Sequence, residues 1–242
     1  YKVYRGNGNY DGSGILDLNA GPKDGVIRTE QDMAWVKMMM ESGYKFAGNT
    51  QVAKNQLWYG DLIYQDTNGD KSITWDDAIR IDKSTTPKWI FGLTLNGAWK
   101  GIDLNVFFQG QADAEQLVMP AMNMPTDFYE GRWIETNTAE ENASAKWPRA
   151  FMKAAAVDNR NSLSSTWWLR NASFVRLKSV ELGYTFPNLM VKKLGLEKLR
   201  IYANGNNLFT IDSMGIFDPE MTAGIKGYPI QRTLTFGVNV TF

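Results

Sequence analysis

The last nine residues, Leu234-Thr235-Phe236-Gly237-Val238-Asn239-Val240-Thr241-Phe242, alternate without a break. Every even position is apolar and every odd one is Thr, Gly or Asn. A helix repeats its apolar positions every three or four residues, so a period of two describes a strand with one apolar and one polar face. Four more stretches read the same way. Trp89, Phe91, Leu93 and Leu95 alternate with Ile90, Gly92, Thr94 and Asn96. Ile102, Leu104, Val106 and Phe108 alternate with Asp103, Asn105, Phe107 and Gln109. Val180, Leu182, Tyr184 and Phe186 follow the pattern, as do Leu199, Ile201 and Ala203. Alternation alone does not say whether the apolar face meets a second sheet or lipid.

The connections carry that distinction. Strands at about 87–97, 101–111, 170–186, 198–209 and 230–242 are joined by segments that are alternately short and long. Outer-membrane barrels have short turns on one side and long external loops on the other, whereas soluble domains rarely hold structureless connections beyond about 15 residues. Residues 112–169 and 210–229 are then external loops, and 1–86 comprises the end of a strand near Tyr1–Arg5 plus another such loop. Within that first loop, Thr29-Glu30-Gln31-Asp32 has the form of a helix cap. Met33, Val36 and Met40 suit a helix over 29–42, and Gly43 suits its stop. No run approaches the roughly 20 apolar residues of a membrane helix, but a barrel strand needs only about 10 of alternating polarity. The chain opens Tyr1-Lys2-Val3-Tyr4, without Met or leader, as expected of an internal piece of a longer protein.

Composition removes several function classes. There is no His and no Cys, so thiol nucleophiles, Ser-His-Asp catalysis and zinc sites built on those residues are excluded within the chain. Basic and acidic residues number 26 each, which leaves no global field to attract nucleic acid. The paired carboxylates Asp76-Asp77, Glu140-Glu141 and Asp218/Glu220 all lie in polar loop contexts, so no glycosidase is expected. Trp133, Trp147, Trp167 and Trp168 suit either stacking on a sugar or a membrane interface.

The sharpest local motif is Asp66-Thr67-Asn68-Gly69-Asp70-Lys71-Ser72-Ile73-Thr74-Trp75-Asp76-Asp77. Calcium takes six to eight hard oxygen ligands, and the EF-hand loop supplies them at alternate positions. Asp66, Asn68, Asp70, the Ser72 carbonyl, Thr74 and Asp77 occupy those places, with apolar Ile73 between them. The expectation is a structural Ca²⁺ that stiffens a loop. Two residues depart from the pattern. Lys71 stands where glycine makes the sharp turn, and Asp77 has one methylene less reach than the usual Glu.

Taken in order, several phrases resemble the SusC/RagA family of TonB-linked outer-membrane importers. These are Gly60-Asp61-Leu62-Ile63-Tyr64 running into Asp66-Thr67-Asn68-Gly69-Asp70, then Trp89-Ile90-Phe91-Gly92-Leu93, Phe107-Phe108-Gln109-Gly110-Gln111 and Lys146-Trp147-Pro148-Arg149. Further along come Ser173-Phe174-Val175-Arg176-Leu177-Lys178, Leu182-Gly183-Tyr184, Leu199-Arg200-Ile201-Tyr202, Asn206-Asn207-Leu208-Phe209-Thr210, Asp218-Pro219-Glu220 and the terminal Phe242. The resemblance covers roughly residues 60–242. It implies an all-β fold: the C-terminal antiparallel strands of a large barrel of about 22 strands in the outer membrane. The implied partners are the rest of that barrel and its plug, a SusD-like surface lipoprotein, TonB acting through the plug, and outer-membrane lipid. The implied role is import of oligomeric nutrients, glycans or peptides, without enzymatic chemistry. The alternative is a soluble β-sandwich that binds carbohydrate or another ligand beside a calcium-stiffened loop. The two differ in what covers Trp89, Phe91, Leu93, Leu95, Ile102, Leu104, Val106, Phe108, Phe236, Val238 and Val240.

Overall fold

The alternating stretches form the strands of one antiparallel sheet. The structure, a computed structural model, describes residues 1–46, 57–118, 126–150, 161, 163–215, 217–221 and 230–242. Parts of the expected loops 112–169 and 210–229 lie outside the described residues. The chain divides into two compact units, Tyr1–Asp82 with Met119–Leu169, and Lys83–Val118 with Arg170–Phe242.

The second unit carries the sheet. Its strands are β1 (Trp89–Trp99), β2 (Ile102–Ala112), β5 (Phe174–Thr185), β6 (Lys198–Asp212) and β7 (Thr233–Thr241), hydrogen-bonded in the order β1-β2-β5-β6-β7. Two short strands, β3 (Glu115–Leu117) and β4 (Leu169–Asn171), pair separately. The large sheet is open, with β1 and β7 as its edges. The β1–β2 hairpin turns on Lys100 and Gly101, both at positive φ (48° and 88°). A two-residue turn with both centres left-handed matches the twist of the strands that it joins.

The single strand expected at 170–186 is interrupted. Ala172 N–H donates to Ala114 O, and Ser173 N–H donates to the Asn171 side chain, so local polar partners displace the ladder there. Farther along, the register slips between Leu177 and Ser179, opposite Asn207 at φ 52°. This bulge leaves Lys178 without a ladder partner and bends the strand.

The first unit is mostly loop around an apolar centre. Its main helix, α1 (Glu30–Glu41), starts at Thr29, whose hydroxyl accepts from Asp32 N–H while the Asp32 carboxylate accepts from Thr29 N–H. It ends at Ser42, followed by Gly43 at φ 96°, a conformation that glycine adopts at little cost. Met33, Trp35, Val36 and Met39 are buried, so the inward stripe includes Trp35 and runs through Met39 rather than Met40. Short helices α2 (Thr126–Gly131) and α3 (Ala139–Ala143) follow in this unit, and α4 (Asn188–Val191) belongs to the other. The strand end expected at Tyr1–Arg5 is not formed. Val3 makes one bridge, to Tyr64, and both Tyr1 and Val3 are drawn into the apolar centre with Ile27, Trp35, Leu62 and Ile63.

Candidate functional site

The sheet has two chemically opposed faces, and the register assembles them in rows. On one face lie Leu95–Val106–Val180–Gly205–Leu234, then Gly97–Leu104–Leu182–Ala203–Phe236, then Trp99–Ile102–Tyr184–Ile201–Val238. Rows Phe91–Gly110–Val175–Ile211 and Leu93–Phe108–Leu177–Phe209 continue it beyond the bulge. The residues named in the sequence as the apolar face are thus brought side by side. Among the described residues nothing is packed over most of them: Phe236 is 79% exposed and Leu93 53%, while Val106 and Phe108 on the second strand are half-buried. Among the described residues, the sheet β3–β4 is too small to cover them.

The opposite face is polar and internally bonded. Its rows include Asn96–Asn105–Glu181–Asn204–Thr235 and Ala98–Asp103–Gly183–Tyr202–Gly237. Arg200 Nε and Nη2 donate to the two oxygens of Asp103 (3.1 and 2.5 Å), and Nη2 also donates to Glu181 (2.7 Å). Asn204 donates to Glu181, and Asn206 to Asn204. Two glycines make room for this layer. A Cβ at Gly183 would lie 2.3 Å from Arg200 Nη2, and one at Gly237 would lie 2.3 Å from the Tyr202 ring. The Arg200 guanidinium also sits 5.2 Å from the Tyr202 ring centroid. Nothing in the periodicity alone separates these two glycines from the other small polar-face residues.

Nearer the other end of this face, Arg176 is fully buried. Its Nη2 donates to both Asp218 oxygens (2.6 and 2.7 Å), and its Nη1 lies 2.7 Å from Glu220. The Asp218/Glu220 pair is therefore an ion-paired anchor rather than a catalytic dyad.

In the first unit, two of the recurring phrases meet. Asp61 is fully buried and accepts Arg149 Nε at 2.5 Å and Nη2 at 2.9 Å. Gly60, at φ +81°, has Arg149 against its Cα and accepts Arg149 N–H at 2.8 Å. Asn161 bonds the Leu62 amide, the Gly60 carbonyl and the Arg149 carbonyl. The tryptophans are placed similarly. Trp147 stacks on Trp168 (6.2 Å, 9°) and Trp133 on Tyr59 (6.0 Å, 9°), and Trp133, Trp147 and Trp168 are all buried. They hold the loops together, and the stacking on sugar or the membrane contact expected of them has no free ring face at those three positions.

The Asp66–Asp77 loop is shaped by its own side chains. Asp66 accepts from Gly69 and Lys71 N–H (2.7 and 2.9 Å), Asn68 from Asp70 N–H (2.9 Å), and Asp70 from Ser72 N–H (2.7 Å). Buried Asp77 accepts from Thr67 and Thr74 N–H (2.7 and 2.8 Å), closing the loop's two ends. Lys71 has φ 63°, the left-handed turn that glycine normally supplies. Its ammonium is turned away, donating to Ser42 O at 3.2 Å and lying 5.7 Å from the Tyr44 ring centroid. Among the described residues, no three His, Cys, Asp or Glu side chains converge as a metal-holding group.

No protein-family model matches the sequence. The chain is similar to a TonB-dependent receptor of Formosa agariphila, at 31% identity over 206 residues, covering 76% of this chain and 20% of that protein. It is also similar to the TonB-dependent receptor SusC of Bacteroides thetaiotaomicron, at 28% identity over 186 residues, 74% of this chain and 17% of that one. Among solved structures it is similar to that of the RagAB peptide transporter (TM-score 0.51, 25% identity, 67% of this chain and 18% of that one). The RagAB peptide importer in its "closed-closed" state gives the same TM-score at 26% identity, with the same coverage. The chain spans about a fifth of the length of the curated relatives that it matches.

Proposed function

Because this chain belongs to the SusC/RagA family of TonB-dependent outer-membrane receptors, we propose that it forms a stretch of barrel wall in an importer of oligomeric nutrients. The observation that carries the reading is the uncovered apolar face of the sheet. Trp89 and Trp99 lie on that face at opposite ends of β1. Ten residues of strand rise about 33 Å, and a strand tilt of about 40° reduces this to about 25 Å across the membrane, the height of a barrel's apolar band between its aromatic girdles. A β-sandwich would need a second large sheet over this face, and among the described residues there is none.

In this reading, the opposite face lines a water-filled lumen, where the Asp103–Arg200–Glu181 cluster stays hydrated. The unpaired edges of β1 and β7 join further strands of the same barrel, since lipid tolerates no unpaired backbone. The family resemblance supports a barrel of about 22 strands with a plug, TonB acting through that plug, and a SusD-like lipoprotein at the surface. It also supports glycans or peptides as the cargo. Transport belongs to the whole assembly, and this chain contributes wall and loops without enzymatic chemistry. The full-length protein should appear in the outer-membrane fraction and migrate faster unheated than heated. A full-length protein found in the periplasm as a soluble monomer would overturn the proposal.

A structural Ca²⁺ in the Asp66–Asp77 loop is proposed with it. Asp66, Asn68, Asp70, Ser72, Thr74 and Asp77 offer the oxygens in EF-hand order. The direction of the Lys71 side chain supports the reading, since the charge opposed to a cation is led out of the loop. Asp66 and Asp77 are the weakest of the ligands, because both oxygens of each already serve backbone amides.

A further inference from the structure

We propose that the loop after β6 is latched across the polar face of the wall, and that Arg176 with Asp218 and Glu220 is the latch that narrows the passage there. This rests on the barrel reading above, since only in a closed wall does the polar face line a lumen. Arg176 belongs to the row Gly92–Gln109–Arg176–Thr210, on the same face as Asn105 and Arg200. Arg176 is fully buried, as is Phe174 on the same face, while its row neighbours Gln109 and Thr210 are only half-buried. What covers it, beside the Phe174 ring at 5.2 Å, is the described part of the loop at 217–221, which lies against the sheet.

Several independent contacts hold the loop down. Asp218 grips Arg176 with both oxygens, and Glu220 is shared by Arg176 Nη1 (2.7 Å), Lys178 (3.6 Å) and the Gln109 side-chain amide (3.3 Å). Gln116 donates to Pro219 O at 3.0 Å. At the start of the loop, Met214 is buried with Ala114 and Ala172, and Phe217 packs against them. Asp218 Oδ1 also accepts Glu220 N–H at 2.9 Å, so the same carboxylate shapes the turn and ties it to the wall. Two cations meet two carboxylates, which leaves the anchor neutral and permits its burial. A desolvated guanidinium stripped of these partners would be strongly unfavourable, so wall and loop each require the other.

The test uses the full-length protein, made free of cysteine elsewhere, in outer membranes, with Thr210→Cys as a reporter beside Arg176. A small maleimide and a polyethylene-glycol maleimide are the probes. With the latch intact, the small reagent should label position 210 and the large one should be excluded. In Arg176→Met, and in the near-isosteric pair Asp218→Asn with Glu220→Gln, labelling by the large reagent should rise about tenfold or more. Labelling by the small reagent should stay unchanged. The second variant decides the matter if Arg176→Met does not insert. Equal labelling by the large reagent in parent and variants that migrate as heat-modifiable barrels would overturn the latch alone. A parent that does not insert would instead overturn the barrel reading, and the passage with it.

Discussion

Arg149 and Asp61 stand 88 residues apart, and no local pattern connects them. The sequence shows two separate phrases, Gly60-Asp61-Leu62 and Lys146-Trp147-Pro148-Arg149, and only the fold shows them to be one constellation. Asp61 is fully buried, so removing its partner leaves a carboxylate desolvated. Removing one member of such a pair costs about 3–5 kcal/mol, and the partial exposure of Arg149 places Arg149→Met near the lower end. Protease nicking of the loops in intact cells should therefore increase in that variant, while barrel insertion is unchanged. Tyr10 and Tyr4 carry a pH dependence in the same unit. Burial, then the bond that Tyr10 donates to Asp32, raises the Tyr10 pKa; burial and the nearby Asp17 push Tyr4 up to about 12. Both phenols are thus held neutral by the fold. Their contribution is fully present below the ordinary value of 10.0 and is lost as pH rises through about 12 and beyond. Loop unfolding followed by tyrosinate absorbance should set in above pH 10, and Tyr10→Phe should weaken that dependence. In the Asp66–Asp77 loop, Asp70→Ala should abolish Ca²⁺ binding measured by calorimetry, with strand content intact. Lys71→Gly should tighten it by relieving the left-handed strain, about 1 kcal/mol. Unaltered heats in both variants would remove the ion from the account.

At the scale of elements, the strands were the most legible part, because a one-residue slip would exchange their faces. Helix α1 was legible from its cap and from Gly43, while Trp35 was hidden because it falls outside the methionine spacing that marked the stripe. The break at Ala172-Ser173 and the bulge at Lys178 were not legible, since the first depends on the carbonyl of the distant Ala114 and the second on the register against β6. Val180 sits in the central apolar row, where an arginine facing lipid costs about 2–4 kcal/mol. Val180→Arg should accordingly slow refolding into lipid vesicles, while Asn105→Ser on the polar face should stay within about 0.5 kcal/mol of the parent. The final strand offers a second comparison. Phe242 is 86% exposed and continues the face of Leu234, Phe236, Val238 and Val240. Its deletion from the full-length protein should sharply reduce outer-membrane insertion, and Thr241→Ser should be nearly silent. Heat-modifiable migration of the two variants reports the difference.

For the molecule as a whole, the central claim is that one face of the sheet meets lipid and the other meets water. The absence of cysteine from the chain allows this to be read residue by residue. Single cysteines placed at each position from Leu234 to Thr241 except Gly237, whose place over the strand is filled by the Tyr202 ring, in the full-length protein otherwise free of cysteine, can be exposed in outer membranes to a water-soluble maleimide. The account predicts a period of two, with Thr235, Asn239 and Thr241 labelled and Leu234, Phe236, Val238 and Val240 protected until detergent is added. Uniform labelling along the strand, or labelling of the even positions in the absence of detergent, would contradict it.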